Sequence, residues 1–279
     1  MNPYKTFGPT CISFSGGRTS AFMLYKVLEA NNGLPDDCVV MFANTGKEDE
    51  ATLRFVNECS MRWKVKITWL EFRDNETKFE VVDFNTASRN GEPFEALIKK
   101  KNYLPNPIAR FCTVDLKILT FERYLKSLGW EDWDNFVGIR ADEPRRVAKI
   151  RANPSDGRKG VNREMPLAAD GISKFDVMRF WQAQDFDLEL PNINGTTYHG
   201  NCDLCFLKGY KQTLSLIQEK PERAIWWAKM EGSITNAHIK DGGTFRKDRP
   251  TYQQMMNYND VQFDMFADDD EGMACFCGE

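Results

Sequence analysis

The stretch CISFSGGRTSAFML, residues 11–24, decides the reading of the fold. An apolar run from Cys11 to Phe14 stops at Ser15-Gly16-Gly17, and Ala21, Phe22, Leu24, Tyr25, Val27 and Leu28 follow at helical spacing. This pattern predicts a buried strand that turns directly into a helix. Glycines at such a turn let the backbone come close to a ligand, and the N–H groups of the first helical turn attract an anion. Ser13, Ser15, Thr19 and Ser20 bring hydroxyls to the same turn and Arg18 brings a charge, so the turn is a candidate site for phosphate or sulfate. It is neither a Walker A loop nor a G-x-G-x-x-G fingerprint. An ordinary Ser/Gly helix start is the competing reading.

The rhythm continues outward from this turn. CVVMFAN at 38–44 and VKITWLEF at 65–72 predict two further strands, with a helix between them from about Glu48 to Met61. A helix over Val114 to Leu128 and a fourth strand at NFVGI, 135–139, complete an alternating pattern. Short apolar strands separated by helices predict an α/β domain with a parallel, Rossmann-like sheet covered on both faces. The loop RANPSDGRKG at 151–160 marks a boundary between a nucleotide-binding part, 1–150, and a helical and irregular part, 151–279. Helices are expected there at Lys174–Ala183, Lys211–Gln218 and Pro221–Met230.

A chain of 279 residues, 42% of them hydrophobic, can bury a sizeable core. Its net charge of −4 offers no global attraction to nucleic acid. No apolar run is long enough to cross a bilayer and the first residues lack a signal-peptide core, so a soluble, cytoplasmic protein is expected. Eight cysteines in that compartment point away from disulfides and toward metal, cluster or redox chemistry. Cys202 and Cys205 form a C-x-x-C, and Cys112 lies ninety residues earlier, a spacing that suits a metal or cluster site. Cys11, Cys38 and Cys59 fall in predicted strands or a helix and read as core. Trp226-Trp227 reads as helix packing.

SFSGGRTS resembles the PP-loop of the adenine nucleotide alpha-hydrolase-like superfamily, and specifically that of the phosphoadenosine phosphosulfate (PAPS) reductase family, with Thr19 where aspartate is usual. The resemblance extends through FANTGKEDEATLRFV at 42–56, RFCTVDLKILTFERYL at 110–125, GIRADEPRR at 138–146 and GNCDLCFLKG at 200–209. It is closest to a branch common in phages and prophages. It implies an iron-sulfur enzyme that binds an adenylyl nucleotide (PAPS, APS or ATP) and performs sulfonucleotide reduction or sulfur transfer. The implied nucleotide contacts are Ser13, Ser15, Gly16, Gly17, Arg18, Thr19, Ser20, Asn44, Thr45, Gly46, Gly138, Arg140 and Arg145. Guanidinium forks suit phosphate or sulfate oxygens, although a charged run such as 140–146 also reads as a solvated loop.

The same resemblance implies a [4Fe-4S] cluster on Cys112, Cys202 and Cys205; the fourth ligand could be Cys275, Cys277, His199 or no residue at all, and Cys275 is the expected one because cysteines at i and i+2 can turn one toward the cluster and leave the other free. Zinc on three cysteines and His199 is the alternative. CFCGE at the end of the chain is similar in place to the tail that carries the family's nucleophile, which makes Cys277 the candidate catalytic thiol, regenerated by a thioredoxin-type reductant. Acidic neighbours raise a thiol pKa, so Cys277 would need cationic company to react. Two other functions stay open. One is ATP-dependent thiolation or nucleic-acid modification; the other is a non-catalytic nucleotide-binding or redox-sensing module.

Overall fold

The structure, a computed structural model, describes residues 2–234 and 243–258. Strand β1 (Thr10–Ser13) leads through the glycine turn into α1 (Arg18–Asn31), then β2 (Cys38–Asn44), α2 (Glu50–Arg62), β3 (Ile67–Glu71) and a short β4 (Glu80–Val82). After α3 (Glu92–Lys101), a helical stretch begins as α4 (Phe111–Thr113), passes through a π-helical turn (Val114–Ile118) and ends as α5 (Leu119–Ser127). Next come β5 (Trp133–Val137), α6 (Pro144–Ala152), β6 (Val161–Glu164), α7 (Pro166–Ala169) and α8 (Lys174–Gln182). A two-stranded hairpin, β7 (Asn192–Ile193) and β8 (Thr196–Thr197), precedes α9 (Tyr210–Glu219), α10 (Glu222–Gly232) and α11 (Tyr252–Asn257).

The six strands lie in the order β4-β3-β2-β1-β5-β6, all parallel except β4. This is the expected α/β architecture. Side chains of opposite strand faces go to different cores. Ile12, Val40, Phe42, Ile67 and Phe136 pack with α1, α2 and α8, whereas Cys11, Met41, Leu70 and Trp133 pack with Leu125 of α5. Period-two alternation therefore serves two apolar layers, which is why the strands read as continuous apolar runs.

The sheet runs on past residue 150, where a boundary was expected. Strand β6 pairs with β5, and Leu167, Val177, Trp181, Leu188 and Leu190 join the core beneath α1. The sequence VNRE of β6 gives no strand signal, because an edge strand with three polar residues has little hydrophobic pattern. Residues 140–146, readable as a solvated loop, start a helix at Pro144, a favoured first helical residue. A second core joins α3 and the π-helical turn to the C-x-x-C loop and α9, α10 and α11, with Trp227 fully buried among Phe94, Phe245 and Tyr252. No helix among the described residues is long and apolar enough to cross a membrane.

Candidate functional site

At the glycine turn, Gly16 has a φ of +81°, and a Cβ there would lie 2.6 Å from Thr52 Cγ2 and 3.2 Å from Phe42 Cε2. Its glycine is demanded by backbone conformation and by packing on α2 and β2. Gly17 caps α1 in an extended conformation without a side-chain hydrogen bond, and the first turn of α1 carries no acidic residue. Both omissions leave this helix end electropositive. The Ser20 hydroxyl accepts from the Ser15 N–H at 3.1 Å and donates to the Gly17 carbonyl at 3.0 Å, holding the turn open. Gly138, just past β5, presses on the same helix start; a Cβ would meet Ser20 Cα at 3.1 Å. Arg140 follows, and its Nη1 donates to Thr19 Oγ1 at 3.0 Å. Ser15, Gly16, Gly17, Thr19 and Arg140 border a small cleft of about 70 Å³ that the β7–β8 hairpin partly covers.

A larger cavity, about 300 Å³, opens from Ser13, Ser15, Ala43, Val137 and Gly138 at the carboxyl ends of β1, β2 and β5. It continues along the sheet face between β1, β5 and α5 as far as Cys11 and Trp133, with Phe121, Leu125 and Ile150 among its apolar walls. The carboxyl edge is where open parallel sheets take ligands, and this volume suits a nucleoside.

The expected nucleotide contacts divide. Ser13, Ser15, Gly16, Gly17, Thr19, Ser20, Gly138 and Arg140 line one or both cavities. Arg18 also borders the cleft, but its guanidinium is turned away. It pairs with both Asp187 oxygens at 2.7 Å and donates to Thr197 Oγ1 and to the carbonyls of Leu188 and Leu190. That side chain ties α1 to the segment before the C-x-x-C loop, spending Nε, Nη2 and one Nη1 hydrogen on internal acceptors.

Asn44 is buried as well. Its amide donates to Glu71 and to the Ser88 carbonyl, and its oxygen accepts from Gly46 N–H, so its side chain shapes the turn after β2. Thr45 bonds Glu48, and Gly46 abuts Gly91, where a Cβ would sit 2.9 Å from the backbone nitrogen. Of this stretch Ala43 reaches the main cavity. Arg145 is exposed on α6, whereas Arg146 lines the cavity one helical step round. Sequence reasoning could not choose between them without the phase of α6. It also missed the cations Arg158 and Arg163 of the same cavity, because they sit in a glycine-rich loop and an edge strand.

The cysteines converge. Cys112 from α4 and Cys202 and Cys205 from the loop before α9 line one small, mostly apolar cavity with Thr45, Lys117 and Phe206. The loop is clipped to the end of β2 by a β-bridge between Glu48 and Cys202, an Asp203 N–H to Lys47 carbonyl bond of 2.7 Å and a buried Lys47–Asp203 ion pair of 3.0 Å. Burial, then the Glu48 carboxylate, pushes the Cys202 thiol pKa well up, while Lys117 and the Thr45 hydroxyl act in the opposite direction. Lys117 lies 3.7 Å from Glu48 and lines the thiol cavity, the glycine-turn cleft and the main cavity alike.

Among the described residues no three His, Cys, Asp or Glu side chains are gathered as ligands of one ion. His199 is not brought to the thiols; its Nε2 lies 2.7 Å from Glu219. Zinc draws all its thiolates to about 2.3 Å from one centre, whereas a cluster spreads them over several irons. Three thiols around one cavity are the donors that either group would use. Cys275 and Cys277 lie outside the described residues.

The phosphoadenosine phosphosulfate reductase domain matches residues 9–189, the span that holds the sheet, the glycine turn and Cys112. An uncharacterised nin region protein of Escherichia phage lambda is 30% identical over 241 residues, 83% of this chain and 76% of the relative. An uncharacterised Methanocaldococcus jannaschii protein is 27% identical over 160 residues, 57% of this chain and 28% of that one. Among solved structures, the PAPS reductase of Candida auris in a phosphate complex is 14% identical with a TM-score of 0.41, covering 65% of this chain and 79% of its own. The Methanococcus maripaludis tRNA thiolase NcsA with its [4Fe-4S] cluster is 14% identical with a TM-score of 0.42, covering 99% and 80%. With its glycine turn, parallel sheet and matched span of 181 residues, the chain belongs to the phosphoadenosine phosphosulfate reductase domain family.

Proposed function

We propose that this protein is an enzyme that binds an adenylyl nucleotide and carries out sulfur chemistry at the junction of its nucleotide cavity and its thiol cavity, in the manner of a sulfonucleotide reductase. The observation that carries the reading is Lys117, which borders both cavities and the glycine-turn cleft at once. A nucleoside in the main cavity has its anionic end within reach of the helix start of α1, Arg140 and Lys117. These groups stabilise the charge that grows on a departing phosphate. Cys112, Cys202 and Cys205 are the residues that would hold a [4Fe-4S] cluster, with Cys275 as the proposed fourth ligand. Bound there, the cluster would supply polarisable sulfur and redox-active iron next to the reacting group.

In the reductive reaction the Cys277 thiolate attacks the sulfur of the phosphosulfate. The S–O bond to phosphate breaks, the nucleotide leaves with that electron pair, and the sulfonate stays on the cysteine. One thiolate of a dithiol reductant of thioredoxin type then attacks the Cys277 sulfur, forming a mixed disulfide as sulfite leaves with the electron pair of its S–S bond; the second thiol attacks that mixed disulfide, freeing the Cys277 thiolate and leaving the reductant as a disulfide, two electrons poorer.

Anaerobic protein is expected to contain iron with little zinc and to release sulfite from PAPS or APS when a dithiol reductant is present. Cys112→Ala should lose most of the iron-sulfur absorption. Gly17→Val should abolish nucleotide binding in calorimetry while the fold persists. Stoichiometric zinc without iron, or parental affinity in Gly17→Val, overturns the corresponding half of the proposal. Hydrolysis of ATP to AMP with a thiolated product, and no sulfite, replaces the reductase by the thiolation reading.

A further inference from the structure

One wall of the glycine-turn cleft is a stripe of α8. Lys174, Val177 and Met178, at positions i, i+3 and i+4, all border the cleft, and Val177 is buried in the core beneath α1. Lys174 is the charged member of that stripe.

Two neighbours hold Lys174 in place. Its backbone N–H donates to Asp142 Oδ2 at 2.9 Å, and Arg140 Nε donates to Asp142 Oδ1 at 2.9 Å. One carboxylate therefore joins the start of α8 to the arginine that reaches Thr19. The aliphatic stem of Lys174 lies against the tip of the β7–β8 hairpin, where a Cβ on Gly195 would sit 3.2 Å from Lys174 Cδ and 2.8 Å from Met178 Sδ. Asn194 and Gly195, at φ of +50° and +83°, form the two-residue turn between Ile193 and Thr196, and the bare glycine lets that turn press on the lysine stem.

The ammonium is not neutralised in the same way. Among the described residues Lys174 Nζ is in no ion pair, and its one side-chain interaction is a cation–π contact of 5.5 Å with Phe175, whose side chain is exposed. Arg18 on the same cleft is spent on Asp187, and the one carboxylate bordering the cleft, Glu48, is engaged by Thr45. A lysine held by its stem beside the electropositive start of α1, with its charge unclaimed, is a point charge suited to an oxyanion.

We infer that Lys174 is a further ligand-binding cation of the glycine-turn cleft, reaching the terminal tetrahedral oxyanion, sulfate or phosphate, of the nucleotide bound there. This rests on the reading that the glycine turn takes the anionic end of a nucleotide.

Calorimetry on the full chain tests it with adenosine, adenosine 5′-phosphosulfate, ADP and sodium sulfate, in parent, Lys174→Gln and Lys174→Arg. Lys174→Gln should bind adenosine as the parent does and lose roughly tenfold or more in affinity for phosphosulfate or ADP, because one charge-assisted contact to the terminal group is gone. A loss confined to phosphosulfate assigns the contact to sulfate, and one confined to ADP assigns it to phosphate. Lys174→Arg keeps the charge and should lie between the two. Added salt should weaken the parent's binding more steeply than that of Lys174→Gln, which a purely structural role would not produce. Unfolding midpoints without ligand check that the variants fold. Unchanged affinity of Lys174→Gln for both terminal anions, an equal loss with adenosine, or parallel salt dependence in parent and variant each overturns the contact. Should the parent bind no nucleotide, the nucleotide reading fails by itself, and sulfate alone decides: binding roughly tenfold weaker in Lys174→Gln upholds Lys174 as an anion contact, whereas equal or absent binding overturns it.

Discussion

At the scale of single residues, position on an element separates arginines that the sequence lists side by side. Arg140 leaves the end of β5 and reaches Thr19 on the helix start, while Arg145 sits on the outer side of α6. If Arg140 holds the nucleotide as proposed, Arg140→Lys should weaken binding about five- to tenfold, because a lysine keeps the charge but loses the planar fork. Arg145→Lys should leave affinity within about twofold, as surface substitutions usually do. Calorimetry with a single nucleotide checks both; equal losses would put Arg145 back in the site. Arg18 makes the same point from the other side. Its place in the glycine turn suggested an anion ligand, but carbonyl and carboxylate acceptors 169 to 172 residues away claim its donors.

At the scale of elements, the start of α2 shows how one side chain serves a helix and its neighbour. Asp49 caps α2 by accepting from the Ala51 N–H at 2.9 Å and pairs with Arg223 at the start of α10. Burial opposes the charged form of Asp49, yet the Ala51 N–H and Arg223 outweigh it and the carboxyl pKa is lowered. A lowered folded-state pKa means that the stabilisation is complete above the unfolded value, near 3.9, and is lost as pH falls through the folded value. Asp49→Ala should cost about 1–2 kcal/mol at pH 7. In urea titrations the gap between parent and variant should hold from pH 7 down to about pH 5 and close below about pH 4. A gap that persists at pH 2 would mean the carboxylate charge contributes nothing. The π-helical turn carries a comparable lesson: the helix expected over Val114 to Leu128 is helical over that span, but it starts three residues earlier, at Phe111, and its stretch Val114–Ile118, which bears Lys117, is wound as a π-helical turn. Hydrophobic periodicity marks that a helix exists and is too coarse to register one inserted residue per turn.

At the scale of the whole molecule, the two cores are joined where the C-x-x-C loop meets the end of β2. Lys47 and Asp203 are each 8% exposed, and Asp203 also accepts from Trp227 Nε1 at 2.9 Å. Lys47→Met should leave the Asp203 carboxylate buried without its cation and cost about 3–5 kcal/mol. If the loop owes its position to this pair, iron content should fall in the same variant; a variant as stable as the parent in chemical denaturation would remove the pair from the account. The α/β class and the glycine turn were readable in the chain, because each is written in local spacing, and the grouping of Cys112 with a C-x-x-C ninety residues on came with the family resemblance. Strand β6, the α6 face that turns Arg146 inward, the arginines of the main cavity and the diversion of Arg18 and Asn44 into internal bonds were not readable there. Each depends on which distant groups arrive at a place, and a donor goes to the acceptor that folding brings within about 3 Å, whatever its neighbours in sequence suggest.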